Sequence, residues 1–278
     1  MKQLSAFLIM MILASCGGEN RAIKVKGSDT EVNLAVSLAE AFYKVDDDYS
    51  LAISGGGSGL GIASIINGQA DIANSSRPLS KSEMEMFRQK GIKIRTVVFA
   101  EDATAIIVNK EFPLDSMDVA TLGKIFDGTY KSWKPVTGRD IPITLYGRQS
   151  NSGTHSFIKK KLDIRFSPEA KEMNGSAQIL GSVKSDETGI GYIGAGYLMQ
   201  TEDQAAVKPL RIYEQAGAPA ISPMDEKAIM EGRYFLQRPL YQFIPENSWE
   251  KVSAFIAFEK GERGRAIIQK SGYYVVND

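Results

Sequence analysis

The chain has 278 residues, with 33 basic and 33 acidic side chains, one His and one Cys. A formal charge of zero removes the basic footprint expected of a nucleic-acid binder. One His and one Cys are too few for a zinc site, and no cofactor is expected.

The first residues read MKQLSAFLIMMILASCGG. Lys2 supplies a positive start, and the apolar run from Ala6 to Leu13 is too short to span a bilayer as a stable helix. Ending in Leu13-Ala14-Ser15 before Cys16, the run reads as an export signal and matches the bacterial lipobox. Cys16 then becomes the lipidated, palmitate-bearing first residue; the alternative is an ordinary signal with an incidental Cys. Residues 1–20 are assigned to signal and tether, and the protein to the periplasm or cell surface, lipid-anchored to a membrane. The mature chain keeps no cysteine for disulfide or thiol chemistry.

AIKVKGSDT predicts a strand running into a helix, whose Leu34, Leu38, Ala41 and Phe42 fall at helical spacing. LAISGGGSG is a second strand into a glycine loop, LGIASIING a short apolar helix, and ADIANSSRP a third strand. Ser80 and Glu83 form a capping box before the next helix, and IKIRTVVFA is a fourth strand. In a second unit, DATAIIVNK and DIPITLYGR are strands, DVATLGKIF and SGTHSFIKKKL helices, and TGIGYIGAGYL a glycine-studded strand and turn. RPLYQFIP predicts a strand, followed by helices around Trp249 to Phe258 and Gly261 to Lys270 and a last strand, YYVV. Strands alternating with helices imply an α/β fold with mainly parallel sheet.

Four strands end in turns of small hydroxyl-bearing residues and glycine: Gly27-Ser28-Asp29-Thr30, Gly55 to Gly59 around Ser58, Asn74-Ser75-Ser76-Arg77, and Arg148 with Ser150, Ser152, Gly153 and Thr154. A helix N-terminus offers unpaired N–H donors and partial positive charge, so it favours an anion. Glycine allows close backbone approach, Ser and Thr add uncharged donors, and Arg148 can fork onto two oxygens. Any one turn alone is consistent with an ordinary helix cap. GGGSGLG lacks the following Gly-Lys-Ser/Thr of a P-loop. All four lie where parallel strands deliver ligands at their carboxyl ends.

GSDT, GGGSGLGI, ADIANSSRPLS and GRQSNSGTH resemble, in order and spacing, the phosphate-binding proteins of bacterial Pst-type ABC importers. The resemblance runs from about Ile23 to the C-terminus and includes TGIGYIGAGYL and RPLYQFI. It implies a two-lobe periplasmic-binding-protein clamshell of type II that delivers phosphate to an ABC permease with its ATPase, as a monomer. Lobe 1 would be residues 21–100 with 236–278, and lobe 2 residues 101–235, hinged near Ala100 and Leu236. Carried over by motif, the phosphate contacts are Ser28, Asp29, Thr30, Ser58, Gly59, Ser76, Arg148, Ser152, Gly153 and Thr154. Many members carry an aspartate at the position of Ser76 that accepts the proton of bound phosphate; here Asp29 is expected to take that role. The alternatives are another tetrahedral oxyanion such as sulfate, or a sensor or scavenger without a permease.

A hydrolase reading needs a base for Ser152 or Ser156, and His155 is the one imidazole. It adjoins Thr154 at a helix start, where neighbouring side chains diverge by about 100°. No Gly-x-Ser-x-Gly elbow joins a strand to a helix here. His155 is expected to be a partly exposed helix residue, and the protein is not expected to be an enzyme.

Overall fold

The structure is a computed structural model that describes residues 22–276; Cys16 and the export segment lie outside the described residues. In its first part, strands β1 (Ala22–Gly27), β2 (Ser50–Ser54) and β3 (Ile72–Ser75) alternate with helices α1 (Val32–Tyr43), α2 (Ser58–Ile66) and α3 (Lys81–Gln89). β4 (Ile94–Asn109) leads into a middle part with β5 (Ser116–Asp118), α4 (Val119–Phe126), α5 (Lys134–Thr137), β6 (Thr144–Arg148) and α6 (Gly153–Lys161). It continues through β7 (Lys171–Met173), α7 (Ser176–Ser185), β8 (Gly189–Gly194), α8 (Ala195–Met199), β9 (Val207–Pro209), β10 (Arg211–Tyr213) and α9 (Glu226–Met230). β11 (Gln237–Pro245), α10 (Trp249–Lys260) and α11 (Glu262–Lys270) close the chain.

Among the described residues, nine strands form one sheet in the order β2-β1-β3-β11-β4-β8-β6-β7, with β9 added on β4. Each flank is parallel, β1 with β2 and β3, and β6 with β7 and β8. The centre is antiparallel, where β11 pairs with β3 and β4, and β4 with β8. The sheet is therefore mixed. IKIRTVVFA and DATAIIVNK, expected as two strands, form the single strand β4, because nothing between Ala100 and Asp102 interrupts the extended backbone, which pairs with β11 up to Ala103 and with β8 from Thr104. A register shift places the extra residue Phe99 opposite Leu240 and Tyr241, a bulge that bends the strand at mid-length. The expected last strand YYVV reduces to a bridge between Tyr274 and Glu101.

The core divides on either side of this bend. Ile23, Val25, Leu34, Leu38, Phe42, Ala100, Leu240 and Phe255 form one buried cluster, with a satellite around Ile62, Ile65 and Phe87. Ile106, Ile107, Phe126, Trp133, Ile179, Tyr192 and Leu236 belong to another. Helix starts follow local chemistry. Ser80 accepts from the Glu83 amide at 3.2 Å while Glu83 accepts from the Ser80 amide at 2.7 Å, the expected capping box. The same Glu83 holds Arg77 through both guanidinium ends at 2.7 and 2.8 Å, so Arg77 serves its own turn.

Glu259 on α10 is buried and its one described partner is Gln242 on β11 at 3.0 Å. Burial pushes its carboxyl up to about 8 from 4.5. A folded value above the unfolded one means that Glu259 contributes stability fully below about 4.5, lost as pH rises through about 8. Between those limits the melting temperature of E259Q, which cannot ionise there, is expected to gain on that of the wild type as pH rises. At about pH 8 the gain should exceed ~3 °C, on the scale of ~2–4 °C per kcal/mol for a domain of this size. Thermal melts of both proteins across that range check it; parallel curves contradict it.

Candidate anion-binding site

The four polar turns meet. Gly27 ends β1 at φ +141°, and a Cβ there would stand 2.0 Å from the Asn74 carbonyl; only glycine lets the first and third turns lie this close. The Ser28 hydroxyl donates to Ser76 Oγ at 3.2 Å and accepts from the Thr30 amide at 3.3 Å. Ser58, at the start of α2, accepts the Ser76 amide at 3.1 Å. Three hydroxyls from three strand ends thus form one wall.

The opposite wall is the fourth turn. Ser152 caps α6, its hydroxyl accepting from the His155 amide at 3.4 Å. Gly153 presses against the first wall so closely that a Cβ would meet Ser58 Oγ at 2.3 Å and Ser76 Oγ at 2.4 Å. The hydroxyls of Thr154 and Thr30 stand 3.0 Å apart. The Gly59 amide donates to the Asn151 carbonyl at 2.9 Å, and Asn151 Nδ2 donates to the Gly56 carbonyl at 3.2 Å. Ser28, Thr30, Ser58, Ser76, Ser152 and Thr154 are each at most 4% exposed. The two walls are in direct contact, and a groove of about 650 Å³, lined by Ser76, Lys160, Lys161, Arg238 and Tyr241 among others, runs beside them.

Two arginines bring positive charge. Arg148 ends β6, 2% exposed, its backbone amide held by the Tyr192 hydroxyl at 2.9 Å. Its Nη2 donates to Asp29 and to the Asn174 carbonyl, while its buried Nε has no protein partner among the described residues. Asp29 also accepts the Gly56 amide at 2.8 Å, so each of its carboxylate oxygens has one protein donor. Arg238 on β11 faces its cross-strand partner Asp102 on β4 and donates to it at 3.0 Å. The same Nη2 donates to Thr30 Oγ1 at 3.1 Å, and Nη1 is buried without a protein partner.

The structure therefore brings together Ser28, Asp29, Thr30, Ser58, Ser76, Arg148, Gly153 and Thr154. Gly59 and Ser152 flank them, with the Gly59 amide committed to Asn151 and the Ser152 hydroxyl to its own helix. Ser150 is exposed and stands apart. His155 is half-buried against Phe166, ring centroids 4.4 Å apart, and burial lowers its pKa. The Ser152 hydroxyl touches its backbone amide rather than its ring. Arg238, Asp102, Glu31 and Asn151 were not anticipated. The signal available for the first was an arginine opening the RPLYQFIP strand beside the crossing near Leu236.

Asp102 is fully buried and balances Arg238. Removing one member of such a pair strands the other charge away from water, at ~3–5 kcal/mol. Asp102→Ala is expected to lower the unfolding free energy by about that amount in a urea titration; a midpoint within error of wild type contradicts it.

Comparison with known proteins follows the same outline. A family model described as a PBP superfamily domain matches residues 14–259. The phosphate-binding protein PstS of Staphylococcus aureus is 28% identical, over 95% of this chain and 84% of its own. A phosphate ABC transporter substrate-binding protein from Clostridium perfringens, solved with bound phosphate, superposes with a TM-score of 0.82 at 25% identity, covering 92% of this chain and 100% of its own. An ABC-type phosphate transport receptor from Vibrio cholerae does so with a TM-score of 0.70 at 26% identity, covering 91% and 100%.

Proposed function

The chain belongs to the PBP superfamily, and from that premise we propose that it binds inorganic phosphate between two lobes and hands it to an ABC permease. The observation that carries the reading is the enclosed cradle itself. Neutral hydroxyls of Ser28, Ser58, Ser76, Thr30 and Thr154 meet from both halves of the sheet, and the buried Nε of Arg148, at the end of β6, has no protein acceptor among the described residues. Small hydroxyl donors and one or two guanidinium groups suit a compact tetrahedral oxyanion, each contributing ~0.5–3 kcal/mol net. The likeness to relatives named for phosphate selects that ion among the oxyanions.

The lobes are residues 21–100 with 236–278, and residues 101–235. The separate clusters around Ala100 and Ile106 and the bulge at Phe99 support a hinge there, although Leu236 packs with the second cluster. Phosphate touching both lobes binds the closed form better than the open one, and that differential affinity shifts the population. Within this reading, Asp29 holds Arg148 in place across the cleft, and no covalent step occurs. The protein acts as a monomer, exported and lipidated at Cys16, and reopens on the permease to release the ion.

Calorimetric titration with orthophosphate and with sulfate at two pH values tests the reading. Saturable heat with orthophosphate and at least tenfold weaker sulfate binding is expected. No heat with orthophosphate rejects the proposal, and equal affinity for both anions assigns a general oxyanion binder instead.

A further inference from the structure

Arg238 on β11 is buried, and its guanidinium is fixed on several sides. Nε and Nη2 donate to Asp102 Oδ2 at 3.2 and 3.0 Å, and Nη2 donates also to Thr30 Oγ1 at 3.1 Å. Its central carbon lies 5.3 Å from the ring of Phe157 on α6. Thr30 Oγ1 in turn stands 3.0 Å from Thr154 Oγ1, where either hydroxyl can be the donor. The backbone of Thr30 is held as well, its amide by the Ser28 hydroxyl at 3.3 Å and its carbonyl by the Tyr273 hydroxyl. An unbroken line of hydrogen bonds, Asp102 to Arg238 to Thr30 to Thr154, therefore runs from the middle of the sheet into the seam between the two walls.

We propose that Arg238 is a positioning residue for the anion: by donating to Thr30 it directs the hydroxyl hydrogens of Thr30 and Thr154 into the cradle and away from Asp102. The inference rests on the phosphate reading above. Arginine donates and never accepts, so Thr30 Oγ1 can only receive from it. Thr30 and Thr154 then hold two hydroxyl hydrogens between them. One closes their mutual contact, whichever residue donates, and the other has no acceptor among the described residues. That hydrogen is the one left for a ligand oxygen.

Asp102 is the rival acceptor. It is fully buried, and its Oδ1 completes no hydrogen bond among the described residues. It closes with Thr30 on the same point of β8. A Cβ on Gly194 would stand 2.6 Å from Thr30 Cγ2 and 3.1 and 3.2 Å from the two Asp102 oxygens. Without the guanidinium N–H, the Thr30 hydroxyl turns its hydrogen to that carboxylate and meets the anion with lone pairs. Arg238 and Asp102 together carry no net charge, so their pull on a ligand falls off steeply with distance. What reaches the anion is the orientation of Thr30, whereas Arg148 brings charge from the other wall.

The test is a double-mutant cycle on the affinity for inorganic phosphate, measured by calorimetry on wild type, R238K, T30V and the double variant. Lysine keeps a charge beside Asp102 but lacks the fork that reaches Thr30 as well. Valine keeps the shape of threonine without its hydroxyl, and the remaining cradle donors keep its affinity measurable. R238K is expected to weaken binding at least ~tenfold by itself and less than ~twofold in the T30V background. Equal losses in the two backgrounds overturn the proposal, because a purely structural role, or a direct contact of Nη1 with the anion, acts without Thr30. Full affinity in R238K overturns it too. Absence of phosphate binding by the wild type overturns the phosphate reading and this role with it. If R238K does not fold, D102N/R238Q takes its place and leaves no buried charge unpaired. The glutamine amide nitrogen reaches only as far along the side chain as the arginine Nε, beside residue 102, and stops short of Thr30. A loss that disappears in the T30V background is again expected, and equal losses reject the proposal.

Discussion

Arg148→Ala is expected to weaken phosphate binding by at least tenfold, or ~1.4 kcal/mol. The guanidinium is 2% exposed, and its strand-end backbone is held to Tyr192, so the side chain is fixed before any ligand arrives. Hydrogen bonds from a charged donor are worth ~1.5–3 kcal/mol, and Arg148 keeps its Nε free of any described protein acceptor. Deletion also releases Asp29, which bonds Arg148 from the other wall, and so loosens the contact between the two halves. Arg148→Lys retains charge but not the planar fork and should fall between alanine and wild type. Arg77→Ala supplies the control. That arginine belongs to Glu83 outside the cradle, and phosphate affinity should not change beyond error. Calorimetry on the three variants checks the order, and full affinity in Arg148→Ala removes Arg148 from the ligand set.

How much of this was legible in the sequence depends on chain separation. The hydroxyl turns are local signals, each a few residues long at a strand end, and the structure gathers them as the α/β reading expected. Ser80 and Glu83 lie three apart, so the capping box could be read directly. Arg238 lies 136 residues from Asp102 and 208 from Thr30, and no local pattern marks such a triad. Glu31 has the look of an ordinary first-turn acid until α1, β4, β11 and α10 are packed around it. Asp29 was legible as an acid of the first turn, but its protein partners were not: Arg148 and the Gly56 amide come from two other turns, far away in the chain. The joining of two expected strands into the single strand β4 was not legible. Hydrophobic alternation carries on through a bend that arises from pairing with β11.

Gly153→Ala should abolish tight closure while leaving each half folded, with phosphate affinity at least ~100-fold weaker, or ~2.8 kcal/mol. Gly153 is the first residue of α6 and has no left-handed backbone to protect, so alanine suits the helix at least as well. The added carbon instead meets Ser58 Oγ at 2.3 Å and Ser76 Oγ at 2.4 Å, with Ser58 Cβ at 3.2 Å. Ser58 is fully buried and accepts the Ser76 amide, so turning its hydroxyl aside orphans a buried donor at ~1–3 kcal/mol. Moving the halves apart instead stretches the Thr30 to Thr154 contact and the Gly59 to Asn151 bond. Either escape removes donors from the cradle, which is why the expected loss exceeds that of a single hydrogen bond. Gly181→Ala, inside α7 with nothing within 4 Å of its Cβ, makes the same chemical change where no wall opposes it. It should bind phosphate like wild type. Calorimetry gives the affinities, and small-angle scattering with and without phosphate shows whether the variant contracts. A Gly153→Ala protein that contracts and binds normally means that the ligand-bound halves never come as close as this glycine allows.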